Sequence, residues 1–436
     1  MNGSARSGSG QGAPWGLAAL LFLANSFSFV DRMVLTLLVE PIKADLEVSD
    51  TQISLLHGLA FASFYALAGL PLGYLADRSH RPRLMAIGAT IWSAMTLATG
   101  LARSFPLMFA ARAGVAVGEA TLSPSAVSLL RDRFAPGLAA RAIGIFQAGI
   151  FVGSALALIL GGQILTVADR LPWPLAGLAP WRVVFVVAGL PGLVIAALML
   201  TLREPRGVSI PADGSAPRVG AALGYVRANL RTIGWYIGGA TAITILAYGV
   251  LSWMPTVLIR VHGMTQQSAG LTLGLGNLLC GVGGVLTSAW ALDKALARGR
   301  RTAPAELLLL ACGLLGVATV VFALAPTIAF ALPAAAVLIF TQSLPYGIIS
   351  ASLAELVPAH LRGQIVALYL LISNLAGLTL GPLIVALFTD RLFADPSKVG
   401  LSLALLPVVT LPLACGFLLA CRSALGSLHL SHEPAR

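Results

Sequence analysis

Residues 14–39 read PWGLAALLFLANSFSFVDRMVLTLLV, an apolar run that carries two formal charges, Asp31 and Arg32. A helix rises about 1.5 Å per residue and the hydrocarbon layer of a bilayer is about 30 Å thick, so the run is long enough to cross. Asp31 and Arg32 then lie in hydrocarbon, where placing each costs roughly 2.5–3.5 kcal/mol at a helix centre. Residues of this kind face a bundle interior or a wet cavity, which makes a functional site the first reading. The other reading is structural: Asp31 pairs with a neighbouring helix and holds the bundle together.

The rest of the chain resembles this stretch. Of its 436 residues 57% are hydrophobic and 10% charged, against roughly 25% charged in a soluble domain, so the fold class is an all-α, polytopic membrane protein. A net charge of +11 would raise nucleic acid as a partner in a soluble protein. Here Lys and Arg sit in short loops between spans, where they set topology, and no nucleic acid is implied. Cys280, Cys312, Cys415 and Cys421 lie in apolar runs without metal-ligand spacing. They read as small core residues, with no disulfide, metal site or cofactor. The span that follows the polar tail 1–13 is too long for a signal peptide and lacks a small-residue cleavage site, so it is expected to be retained.

Hydropathy and loop punctuation predict twelve spans, near 14–39, 53–76, 83–103, 105–130, 141–166, 181–202, 233–259, 268–292, 303–324, 327–353, 363–388 and 399–421. They are numbered 1 to 12 below. With the N-terminus inside, 19 of the 28 Lys and Arg fall on the side of the termini, 7 on the opposite side, and Arg32 and Arg112 in the membrane. That asymmetry places both termini in the cytoplasm; the expected location is a plasma membrane, the inner membrane of a bacterium. A polar, Pro-broken stretch divides six spans from six. The predicted plan is a cytoplasmic tail 1–13, a six-helix bundle 14–202, a cytoplasmic linker 203–232, a second six-helix bundle 233–422 and a tail 423–436. The halves echo one another: Asp77-Arg78 after span 2 corresponds to Asp293-Lys294 after span 8, at an offset of 216 residues. Two pseudo-symmetric bundles are the plan of a transporter that rocks one half against the other around a midplane site.

In the loop GYLADRSHRPR (Gly73 to Arg83), Gly73 permits close helix approach, Asp77 is placed to accept from a helix N-terminus of the other half, and Arg78 and Arg81 suit anionic headgroups. With Asp293 of the second half these are the candidate gating residues; a merely topogenic basic loop is the alternative. The pattern G-x-L-A-D-R-x-x-R-x-R between spans 2 and 3 resembles the signature loop of the major facilitator superfamily, and the twelve-span plan extends the likeness over the whole chain. Span 4 reads FAARAGVAVGEATLSP and puts Arg112 and Glu119 in hydrocarbon, on one face and about 10 Å apart in level. Asp31 and Arg112 both lie about 10–12 Å below the outer ends of their helices and can meet. An arginine there favours the ionised carboxylate and desolvation opposes it, so Asp31 can titrate with the opening of a cavity. A static clamp of Arg112 on Asp31 or Glu119 is the alternative.

Asp31-Arg32 in span 1 together with R-x-x-x-x-x-G-E-A in span 4 (Arg112, Gly118, Glu119, Ala120) is similar to the spinster branch of that superfamily. The resemblance implies that Asp31 and Glu119 are proton-coupling residues, that Arg112 binds substrate, and that protons move with or against an amphiphilic, lysophospholipid- or sphingolipid-like solute. Ala116 stands where the animal proteins usually carry glycine. Tyr248, Trp253, Tyr346 and Asn374 are further candidates for substrate contact, and Gln147, Asn277, Gln342 and Ser373 for lining a cavity; each is also readable as an interhelical hydrogen bond. Glycines 149, 153, 161 and 162 of span 5 and 377 and 381 of span 11 read as close-approach positions, and His57 as a solvated interfacial residue or a proton relay. The expected partners are protons, a small-molecule or lipid substrate and membrane lipids, with a monomer as the unit. Competing functions are an exporter of drugs or organic acids on the same scaffold and a non-transporting sensor. A membrane enzyme has no nucleophile elbow, phosphate loop or metal-spaced cluster to support it.

Overall fold

The computed structural model describes residues 14–76, 78–168, 178–202, 204, 219–300, 302–357 and 361–430. Twelve helices are long and apolar enough to cross a membrane: Trp15–Leu37, Asp50–Gly69, Arg81–Leu101, Phe105–Arg133, Gly137–Val167, Pro180–Leu200, Leu230–Arg260, Gln266–Ala297, Ala303–Ala323, Ile328–Ile349, Gln364–Phe393 and Pro396–Ala424. They match the twelve spans read from sequence. An even number of crossings puts the start of the first span and the close of the last at one end of the bundle, the termini end.

The boundaries differ in instructive ways. Within the expected linker, Val219–Ala228 is already helical and the helical stretch of span 7 begins at Leu230, while the helix of span 12 runs on to Leu430. Span 4 is not one helix. It stops at Glu119 and resumes at Leu122, because Pro124 has no N–H to give the Ala120 carbonyl. Span 2 breaks at Gly58, between Asp50–His57 and Leu59–Ala76.

Packing repeats with a shift of six spans. In the first half span 1 packs along span 5, span 3 against spans 4 and 6, and span 2 on span 4; in the second half 7 packs along 11, 9 against 10 and 12, and 8 on 10. Between the halves, span 5 meets span 8 and span 2 meets span 11, a pair that a two-fold axis would exchange. Gly58 and Gly274, 216 residues apart, hold equivalent places in it. A Cβ on Gly58 would lie 2.1 Å from the Leu378 carbonyl oxygen of span 11, and one on Gly274 would lie 2.9 Å from the Ala155 carbonyl oxygen of span 5. Only glycine allows backbones this close.

These contacts lie toward the end opposite the termini, called the far end here. There Arg260 of span 7 bridges Glu40 (Nη2 to Oε1, 2.6 Å) and Asp50 (Nη1 to Oδ2, 2.8 Å) of the first half. Asp50 is fully buried and also pairs with Lys43. Asp390 of span 11 accepts from the N–H and the hydroxyl of Thr51, both at 2.6 Å, capping the N-terminus of span 2. Toward the end that carries the termini, Gly73, Gly137 and Gly144 face open space, and Leu67, Leu279 and Leu286 are 65–74% exposed. The polar contacts of Arg260 and Asp390 latch the halves at the far end, the sealed end; toward the other, the parted end, Tyr346 keeps 46% of its surface although protein surrounds it, which marks a cleft between the halves.

Candidate functional site

Four charged side chains of spans 1 and 4 form two ion pairs beside the cleft. Arg112 Nη1 donates to Asp31 Oδ2 at 2.8 Å, and Thr96 Oγ1 of span 3 donates to Asp31 Oδ1 at 2.9 Å. Asp31 and Arg112 are 2% and 1% exposed. The meeting of Asp31 with Arg112 follows the equal depths read from sequence. Glu119 takes a different partner. Its Oε2 accepts from Arg32 Nε at 2.7 Å, from Arg32 Nη2 at 2.5 Å and from Ser28 Oγ at 2.7 Å. Ser28 lies one helical turn before Arg32, and a long helical side chain reaches back over the turn that precedes it. Arg32 therefore descends to Glu119 while Asp31 meets Arg112.

The two pairs differ in freedom. The Arg32 side chain keeps 18% of its surface, and its guanidinium lies 4.4, 4.6 and 5.1 Å from the ring centroids of Phe61, Phe29 and Tyr65. Phe61 separates it from Arg112, whose guanidinium is 5.9 Å from the same ring. Aromatic faces hold a guanidinium without neutralising it, which keeps Arg32 available to an anion. Glu119 Oε1 and Arg112 Nε are buried without a hydrogen-bond partner among the described residues. The cluster therefore has unused capacity on both a carboxylate and a guanidinium.

Close packing fixes these levels. A Cβ on Gly118 would stand 2.6 Å from the Trp92 nitrogen and 2.7 Å from the Gly88 carbonyl oxygen, so spans 3 and 4 touch backbone to backbone next to Glu119. Gly149 and Gly153 bring span 5 onto Phe22 and Ser26 of span 1, and Asn25 Nδ2 donates to the Phe146 carbonyl at 2.7 Å. Gly377 and Gly381 likewise bring span 11 onto span 7.

From the second half, Tyr248 donates its hydroxyl to Asn374 Oδ1 at 3.1 Å. Tyr346 is 46% exposed although protein surrounds it, so its open surface belongs to the cleft. Tyr248, Tyr346 and Asn374 thus gather on the second half, with Tyr248 in the neighbourhood of Arg32 and Tyr65. Trp253 does not join them. It is fully buried and its Nε1 donates to the Pro382 carbonyl at 3.0 Å, a packing bond between spans 7 and 11. His57 is not solvated but buried near Arg112, with Nε2 unpartnered, because Gly58 draws that end of span 2 against span 11.

The expected gating residues part company. Gly73 makes no close approach, Arg78 is exposed against the Tyr74 ring at 4.0 Å, and Asp293 is exposed. Asp77 lies outside the described residues. Arg81, expected among headgroups, is 2% exposed and donates to Glu204 Oε1 (Nε, 2.8 Å), Asp132 Oδ2 (2.5 Å) and Ser128 Oγ (2.8 Å). Two acids at the ends of spans 4 and 6 supply the charge that makes its burial tolerable. Sequence reading placed Arg32 in hydrocarbon beside Asp31 but gave it no role of its own, and it passed over Ser28, Thr96, Phe61 and Tyr65 as site residues.

The sequence model of the Major Facilitator Superfamily matches residues 21–382. An MFS-type efflux pump of Mycolicibacterium smegmatis is 28% identical over 413 residues, 91% of this chain and 89% of that protein. Protein spinster homolog 1 of Bos taurus is 28% identical over 403 residues, 87% of this chain and 74% of that protein. A crystal structure of a bacterial homolog to the human lysosomal transporter Spinster, inward-facing and unoccupied, has a TM-score of 0.84 at 26% identity and covers 98% of this chain and 100% of its own. The chain belongs to the Major Facilitator Superfamily and is a spinster-like transporter, an integral membrane protein of twelve helices.

Proposed function

We propose that the protein moves an anionic amphiphile together with protons by alternating access, rocking residues 14–202 against residues 233–422 in a bacterial inner membrane. One contrast carries this reading: Arg112 is closed on Asp31, while Arg32 stays partly open to the cleft on a carboxylate that still has a free oxygen. A proton on Glu119 dissolves its ion pair and leaves Arg32 to the anionic head of the substrate. Proton and anion then favour one another's binding, the linkage a coupled carrier needs. Asp31 and Arg112 form the second proton site, where neutralising Asp31 frees the guanidinium. Tyr248, Tyr346 and Asn374 present hydroxyl and amide groups to the same solute from the other half. The excess of Lys and Arg on the termini side supports cytoplasmic termini, so that the parted end opens inward. One chain supplies both walls of the cleft, and a monomer suffices.

The test is a two-sided pH-jump assay on purified protein in vesicles, with lysophosphatidate and octyl phosphate offered in turn. Asp31→Asn and Arg112→Ala are expected to insert and fold but to lose proton-driven flux at least tenfold. Full coupled flux by both variants excludes these roles. A second reading, an exporter of drugs or organic acids, draws support from the efflux pump relative. It predicts that a lipophilic cationic dye is driven by the proton gradient and that neither phosphate is.

A further inference from the structure

His57 takes no part in either ion pair, yet it stands at their edge. It is 8% exposed, and its Nε2 is buried without a hydrogen-bond partner among the described residues. It closes the helix Asp50–His57 directly before the break at Gly58, where a Cβ would lie 2.1 Å from the Leu378 carbonyl oxygen of span 11, so the seam between the halves is one residue away. The same helix packs on span 4. From that side the Arg112 guanidinium comes to 5.9 Å from the ring of Phe61, one helical turn after His57, and its Nε is likewise buried without a partner. The helices packed around His57 carry other described charges, among them Asp31 of span 1, Lys43 of the helix Val39–Leu46 and Asp390 of span 11, but Arg112 is the one that acts on the imidazole. A buried donor and a buried acceptor thus lack partners on neighbouring helices, an uncommon arrangement that calls for an explanation.

The explanation starts from Asp31, which holds Arg112 Nη1 at 2.8 Å and so keeps the guanidinium short of the ring. Arg112 is 1% exposed, and a buried charge whose partner is removed is strongly destabilising. Neutralising Asp31 therefore requires another acceptor within reach of Arg112. Resting on the proton-coupled reading above, we propose that His57 is a positioning residue that supplies this acceptor: Arg112 turns from Asp31 to His57 Nε2 when Asp31 is neutralised and returns when Asp31 ionises. A neutral imidazole with its proton on Nδ1 accepts at Nε2 and a protonated ring does not, so His57 serves Arg112 without carrying the transported proton. The turn shifts positive charge from span 1 toward the helix that seals against span 11. The charge state of Asp31 then reaches the seam between the halves.

The experiment is a double-mutant cycle read by thermal unfolding of the full chain in detergent, with Asp31→Asn standing for the neutralised carboxyl. Asp31→Asn with His57→Leu strands the guanidinium, and its midpoint is expected about 3 °C or more below the sum of the single changes. His57→Gln keeps an acceptor near the position of Nε2, and with Asp31→Asn it should return to additivity. Additive midpoints for His57→Leu, or the same excess loss with His57→Gln, overturn the proposal. A second measurement keeps Asp31 and does not depend on the double variant folding: the pH profile of octyl phosphate flux in vesicles. His57→Leu should move the half-maximal point about one unit toward acid, since a stranded guanidinium makes neutral Asp31 harder to reach, and His57→Gln should restore it. An unmoved profile, or one lost equally in both variants, overturns the proposal, the latter by making His57 a proton carrier. Flux by the unaltered protein that ignores the proton gradient refutes the coupled reading, and the exchange of Arg112 between Asp31 and His57 is then judged on the unfolding cycle.

Discussion

Arg32 and Arg112 carry the same charge on adjoining helices, but their surroundings assign them different work. Arg112 is enclosed by Asp31 and Phe61, and exchanging its partner requires Asp31 to move or to lose its charge. Arg32 lies on three aromatic faces and needs only a change at Glu119. Glu119→Gln keeps the side-chain shape and removes the charge that holds Arg32. In the unaltered protein octyl phosphate should bind more tightly as pH falls, because protonation of Glu119 frees Arg32. In the variant the part of that dependence due to Glu119 should be lost, so that affinity at alkaline pH rises toward the acidic value. Titration calorimetry at the two pH values checks this, and an unchanged pH dependence places the titrating group elsewhere. The pairing of Asp31 with Arg112 was legible because helical rise gives each residue's depth from its position in the run. The pairing of Arg32 with Glu119 was not, since equal depths of Cα atoms say nothing of a side chain that reaches back a turn. His57 was misread for a related reason: its place near the end of an apolar run looked interfacial, and only its helix partner buries it.

At the scale of elements, the site depends on where helices touch and where they break. Spans 3 and 4 meet through Gly88 and Gly118, directly beside Glu119, and the helix ends at that residue because Pro124 cannot continue the ladder. Gly118→Ala puts a Cβ against two backbone atoms that cannot give way by rotating. Overpacking of this kind costs about 1–3 kcal/mol, and thermal unfolding in detergent should report it as a lowered midpoint. Gly144→Ala, where nothing lies within 4 Å, should leave the midpoint unchanged or raise it slightly. A lowered midpoint for the control and not for Gly118 would mean that the close approach is not what holds span 4. Span count was plain in the sequence, since hydrocarbon thickness imposes a minimum length on every apolar run. The break in span 4, the one at Gly58 and the π-helical turn Asn277–Gly281 in span 8 were not, because hydropathy averages over just the residues that deviate.

Over the whole molecule, the internal repeat proved deeper than the loops that first showed it. Tyr74 with Arg78 and Trp290 with Lys294, each 216 residues apart from its counterpart, stack a cation on an aromatic ring at 4.0 and 4.5 Å at the parted end. The sealed end breaks the symmetry with charge: Arg260 of one half holds Glu40 and Asp50 of the other. Nothing in the sequence flagged these residues, because charges at span ends are ordinary and only the closing of the halves buries them. The latch exists in one state and must dissolve in the other, so it biases the equilibrium between them. Arg260→Ala leaves Asp50 to Lys43 alone and Glu40 to solvent. If the latch favours the sealed far end by on the order of 2 kcal/mol, its loss multiplies the population open at that end about thirtyfold. Spin-label distances across both ends measure this, with the far-end pair lengthening and the termini-end pair shortening in the same sample. A distance change at one end alone would mean that the halves flex independently, and the rocking of two rigid bundles would have to be given up.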